Sequence, residues 1–214
     1  VVLLGLRHSS NGNLSNSIKL SEEEHKILSD TSFLLTKQQI DKKISALLLN
    51  YQQELMTQNP NPFAFLPSSV LPLPKKVSKG QNYNGLPYWV VDFPSHFEKE
   101  NIFTFRVVVW WGNYISTSLI LSGYYFEQAR LDFVKLGNSN FSFSINANPW
   151  PIEFEPKNLI TVSPYNLSQI KEHYKNSKFV KLSAKHELNK IEGLTLFCNE
   201  DLHGMLAMFD WRNI

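Results

Sequence analysis

The chain predicts an α+β fold, a twisted and mainly antiparallel β-sheet with N-terminal helices packed on one face. Three observations carry that expectation. Residues 36–55 hold an apolar stripe at helical spacing, residues 60–94 collect seven of the eleven prolines, and residues 102–125 form two β-rich runs that meet at Gly112-Asn113. Helices first and strands afterwards is the order of an α+β domain, not of alternating βαβ units.

Residues 1–20 read as a loop or tail, because 8–19 ("HSSNGNLSNSIK") are polar and rich in turn formers. The opening "VVLLGL" falls far short of the roughly 20 apolar residues a membrane span needs. Residues 21–214 then read as one α+β domain, with a helical layer at 21–58, a proline-rich connector at 59–85 and a β-rich part at 86–214. Ser21 with Glu24 has capping-box spacing for a short helix, and Thr36 with Gln39 repeats it ahead of a longer one. On that longer helix Ile40, Ile44, Leu47, Leu48, Tyr51 and Leu55 share one face.

Proline fixes φ and lacks a donor, so the connector is expected to run extended over the surface. "LPYWVVDF" (86–93) reads as a strand, followed by a short capped turn at Ser95 with Glu98. Gly112-Asn113 suits a two-residue hairpin loop, which would pair Trp111 with Tyr114 and Val109 with Ser116. In that register neither face is polar throughout, so both are expected to be covered. Further strands are expected at 141–147, 178–182, 194–198 and 205–211. A helix capped by Ser163 and another over Ala184–Glu192 complete the reading.

At 214 residues with 43% hydrophobic content the chain can bury a full core, and a net charge of +2 does not mark a nucleic-acid or membrane protein. The one cysteine, Cys198, is unable to close an internal disulfide, which suits a cytoplasmic location. No cofactor or metal motif is complete. His186-Glu187 meets Lys190 where a zinc-protease helix needs its second histidine, and "CNEDLH" (198–203) reads as a polar turn between strands. The loop "PKKVSKGQNYNG" offers Lys75, Lys76 and Lys79 for phosphate contact but lacks the Lys-Ser/Thr of a P-loop.

Arg106, mid-strand among apolar residues, needs a partner. That partner is either the carboxylate or phosphate of a ligand, or Asp92 on the neighbouring strand, unless the head reaches solvent at an edge. Trp89, Trp110, Trp111 and Tyr114 offer an aromatic cleft or subunit contact, and His96 stands near Asp92. The expected function is a non-enzymatic binding or homodimerising module built on an aromatic-rich sheet. Its partner would be a second copy or another protein, with a small anionic ligand as a further candidate. The alternative is a hydrolase or metal-dependent nuclease whose site gathers Asp92, His96, Arg106 and Glu155.

Overall fold

The computed structural model describes residues 19–67, 70 and 76–211, and the chain divides into two compact units, the first ending at Lys42 and the second beginning at Lys43. In the first unit α1 (Glu22–Ser29) opens on the expected capping box. The Ser21 N–H donates to Glu24 Oε2 at 2.6 Å, and the Glu24 N–H donates to Ser21 Oγ at 3.2 Å. Helix α2 (Thr31–Thr57) starts five residues before the expected cap at Thr36. Asp30 Oδ1 already accepts from the Phe33 N–H at 2.9 Å, and no breaker separates it from Thr36.

In the second unit, Ile44, Leu48, Tyr51 and Leu55 of α2 enter the main core while Leu47 stays half-buried. The chain then builds β1 (Ser78–Tyr83), β2 (Leu86–Glu98), β3 (Asn101–Trp110) and β4 (Tyr114–Ser122). After β4 come α3 (Tyr124–Gln128), β5 (Arg130–Leu131), α4 (Phe133–Gly137), β6 (Ser142–Ser144) and β7 (Leu159–Thr161). Helix α5 (Leu167–Asn176), β8 (Phe179–His186), a 3₁₀ turn (Leu188–Gly193), α6 (Leu194–Leu206) and β9 (Phe209–Asp210) complete it. Seven strands form one sheet in the order β1-β2-β3-β4-β8-β6-β7, every pairing antiparallel, and β5 pairs with β9. The fold is α+β, with α1 and α2 preceding the sheet in the chain.

The central hairpin differs from expectation by one residue. Trp110 pairs with Tyr114 and Val109 with Ile115, so the loop holds Trp111, Gly112 and Asn113. Gly112 sits at φ +69°, the Asn113 N–H donates to Trp110 O at 3.1 Å, and the Trp111 N–H donates to Pro87 O on β2. The shift moves every β4 side chain to the face opposite the one expected. Phe103, Phe105, Val107, Val109, Ile115, Leu119 and Leu121 now share the core face. Thr104, Arg106, Val108 and Trp110 share the other with Ser116, Ser118 and Ser122.

Strand β2 continues to Glu98 where a capped turn at Ser95 was expected. A bulge between Asp92 and Ser95 absorbs Pro94, which lacks a ladder donor, and pairing resumes at Ser95 with Thr104. Residues 78–83, read as connector, form β1 because Asn84 (φ +51°) and Gly85 (φ +81°) make the tight turn that returns the chain onto β2. The strands expected at 194–198 and 205–211 are mostly helix. Leu194, Cys198, Asp201, Leu202, Met205 and Leu206 are the buried residues of α6, and only Phe209–Asp210 extend as β9. Strand β8 runs to His186 before the 3₁₀ turn, which replaces the helix expected at 184–192. Helix α5 starts at Leu167, with Asn166 at its cap and donating to Thr161 O, rather than at Ser163.

Candidate functional site

The face of the sheet opposite the core is buried yet polar. Antiparallel sheets ordinarily leave such a face to water. Here Thr104, Ser118, Ser142, Ser144, Ser183 and Lys181 are each at most 5% exposed. Period-2 alternation aligns them, since Ser118 pairs with Ser183, Ile120 with Lys181, and Ser142 again with Ser183. Ser118 and Ser183 join their hydroxyls at 2.8 Å.

The cover is a strap from the chain itself, residues 146–158 between β6 and β7. Its sequence, Asn-Ala-Asn-Pro-Trp-Pro, folds by side-chain turns: Asn146 Oδ1 accepts from the Asn148 N–H at 2.8 Å, and Asn148 Oδ1 from the Trp150 N–H at 3.0 Å. Asn146 Nδ2 donates to Asn158 Oδ1 at 2.7 Å and ties the strap at its root. Farther along, Ile152 packs with Val108 and Trp110, its N–H donates to the Tyr83 hydroxyl, and its carbonyl accepts from Tyr114 at 3.2 Å. Phe154 meets the Tyr114 ring edge-on at 5.5 Å.

Two cations lie beneath the strap, and they differ in their partners. Arg106 forms a two-pronged pair with Asp92, Nε to Oδ1 at 2.7 Å and Nη2 to Oδ2 at 3.0 Å. Thr104 Oγ1 adds a third bond to Asp92 at 3.1 Å, and the guanidinium stacks 4.6 Å from the centre of the Trp150 ring. Lys181 has no such counterion among the described residues. Its Nζ donates to Pro151 O at 2.6 Å. Burial, with Arg106 adding repulsion and Glu153 partly offsetting it, brings the ammonium down to about 7.

Glu153 anchors the far side. Tyr83 Oη donates to it at 2.7 Å and Asn84 Nδ2 at 2.9 Å. Burial pushes its carboxyl upward, but those hydrogen bonds prevail and hold it below the ordinary value. Burial first, and then the bond to Glu153, lift the Tyr83 phenol to about 12. Trp110, only 6% exposed, leaves its Nε1 donor without a partner in this cluster.

At the lower end of the face a cavity of about 510 Å³ opens between strap and sheet. Ile102, Ser122 and Phe179 line it from the sheet, Pro149 and Trp150 from the strap, and Lys178 from the chain before β8. Lys181 lies two residues beyond Phe179 on the same face of β8. Ser122 Oγ donates to Glu100 O at the rim.

The structure thus brings Asp92, Arg106, Trp110 and Tyr114 to the strap-covered face. Trp89 turns to the core face, where Lys79 Nζ lies 4.8 Å from its ring centre, and Trp111 packs against the main core. Lys76 is exposed ahead of β1, while Lys75 lies outside the described residues. His96 pairs with Phe103 on the core side, its ring against Tyr125 at 5.3 Å, and Glu155 is exposed with Lys157 at 2.8 Å. Asp92 and Arg106 therefore come together, while His96 and Glu155 do not join them. Among the described residues no group of three or more His, Cys, Asp or Glu side chains comes together at one point.

Lys181 is the residue that sequence reasoning missed. In "FVKLSAKH" it occupies a position that alternates with Val180 and Leu182, a pattern ordinarily read as a wet strand face. Only the strap makes that face dry. No helix of the described residues is long and apolar enough to cross a membrane. No family model, curated protein or solved structure matches this chain.

Proposed function

We propose that the chain is a binding module that takes a small anionic ligand between the strap and the polar face of the sheet, with Lys181 as the charged contact. One observation carries this reading: Lys181 is 2% exposed, surrounded by hydroxyl-bearing strand positions, and has a lone carbonyl as its hydrogen-bond partner. A buried cation is costly without a counterion. An anion would supply one and accept from neighbouring serines. The cavity lined by Phe179, two residues before Lys181 on β8, falls in the size range of small-molecule sites and supplies an aromatic wall in Trp150, with Glu100, Glu127 and Lys178 also in its lining. Arg106, held by its two-pronged pair with Asp92, serves the site as a fixed positive wall.

Calorimetric titration with sulfate and with malonate tests the proposal. Binding should be accompanied by proton uptake, read as a heat that changes with buffer ionisation enthalpy, because an anion favours the charged form of Lys181. Lys181→Met should weaken it by at least about tenfold, the scale of one charge-assisted hydrogen bond. Equal affinity in wild type and variant would refute the reading.

A further inference from the structure

A second chemical grouping lies at the top of β8 and uses none of these residues. His186 ends the strand on the core side, paired with Ile115. Its Nε2 lies 2.7 Å from Asp201 Oδ2, and the same oxygen accepts from Thr117 Oγ1 at 2.6 Å. Three elements fix the arrangement, since Thr117 comes from β4, His186 from β8 and Asp201 from α6. Asp201 is 8% exposed, and the imidazole lies flat on Phe197 with ring centres 4.0 Å apart.

With Asp201 Oδ2 accepting from Thr117, the ring N–H that meets the same oxygen is Nε2–H, which leaves Nδ1 for another partner. No other group of the described residues bonds the ring. His186 also lines a cavity of about 440 Å³ with Asn113, Tyr114, Lys185, Glu187 and Lys190. Lys190 and Glu187 bring one charge of each sign to its lining, while Lys185, paired with Ser116, sets its ammonium 5.5 Å from the Tyr114 and Phe154 ring centres. Behind the carboxylate, burial pushes the Tyr51 phenol and the Cys198 thiol well above their ordinary values, and Asp201 adds to both shifts. Both stay neutral, leaving Asp201 as the charge the histidine feels from that side.

We infer that this cavity is an acid–base site that hydrolyses small anionic esters. Lys190 holds the substrate's negative group, and a water bound at His186 Nδ1 attacks the ester carbonyl. The water oxygen forms the new bond to carbon while Nδ1 takes its proton. The bond to the leaving oxygen then breaks, and the imidazolium returns that proton to the departing alkoxide or phenoxide. Asp201 acts as a positioning residue throughout, fixing the tautomer and balancing the imidazolium without being protonated.

The experiment compares release of 4-nitrophenol from its hemisuccinate ester, which is anionic, and from 4-nitrophenyl acetate, which is neutral. Wild type should turn over the hemisuccinate, and His186→Asn should lower the rate by about a hundredfold. Lys190→Met, a change at an exposed residue, should raise KM for the hemisuccinate. Asp201→Asn should lower kcat and change the shape of the pH profile, which a purely structural role would not do. Circular dichroism of each variant separates misfolding from lost chemistry. Hemisuccinate hydrolysis at the same rate in wild type and His186→Asn, or no preference for the anionic ester, would overturn the inference.

Discussion

Replacing Lys181 with methionine keeps the length of the side chain and removes its charge. In the folded chain the ammonium is brought down to about 7 from the 10.5 of a solvated lysine, by burial first and Arg106 second. Between those values the unfolded chain binds the proton and the folded chain does not, so stability rises with pH across that window. Below it the cost of the buried charge is fully present. Each pH unit corresponds to about 1.4 kcal/mol, which puts the whole cost near 5 kcal/mol. Moving from about pH 6 to about pH 9 crosses roughly two units of the window and should stabilise wild type by about 3 kcal/mol relative to Lys181→Met. The variant also leaves Pro151 O without its donor, a loss of about 1 kcal/mol that is the same at both pH values. Urea unfolding at the two pH values reads the difference directly. The variant should be the more stable protein at pH 6, with its advantage narrowing by about 3 kcal/mol at pH 9. A gap that stays constant with pH would refute the claim that the folded state carries a desolvated lysine.

Asp92→Ala strands Arg106 beneath the strap and should destabilise the fold by roughly 3 kcal/mol in urea unfolding, the cost of breaking a largely buried pair. Glu153→Gln removes the acceptor that helps hold the Tyr83 phenol at about 12, so ultraviolet titration should show that phenol ionising at lower pH, though still above 10 because burial persists. The same variant should flatten acid unfolding: Glu153 is held below its ordinary value in the folded chain, so its contribution is present at neutral pH and lost as pH falls through the folded value. Gly112→Ala, at φ +69°, should cost about 1 kcal/mol, whereas Gly193→Ala, which has open space around it and an ordinary φ, should be neutral or slightly stabilising. Thermal melts of the two glycine variants side by side would check that contrast.

Local chemistry wrote several elements plainly. The Ser21–Glu24 box, the stripe of Ile44, Leu48, Tyr51 and Leu55, and the β-rich runs on either side of Gly112 are each decided by residues within a turn or a strand of one another. The Asp92–Arg106 pair was also within reach of sequence, because a mid-strand arginine needs a carboxylate and few stand nearby. The Asn84-Gly85 dipeptide, the strongest hairpin signal before β2, was masked by the lysines around it. The spacing of Leu194, Cys198, Leu202 and Met205 is helical and could have identified α6, but its short apolar runs also read as strands.

The two groupings with chemical character were not legible. Lys181 and Ser118 are 63 residues apart from the viewpoint of the chain only in the sense that β4 and β8 must pair before their side chains share a face. Asp201, His186 and Thr117 likewise come from a helix and two strands. The amino-acid sequence by itself determined which segments are helix formers and strand formers, because propensity, capping and turn geometry act over a few residues. Tertiary structure alone decided the hairpin register, the dry polar face beneath the strap and the Thr117–Asp201–His186 network. Burial and side-chain pairing depend on which distant strand lies alongside, and a one-residue slip exchanges the two faces of a sheet.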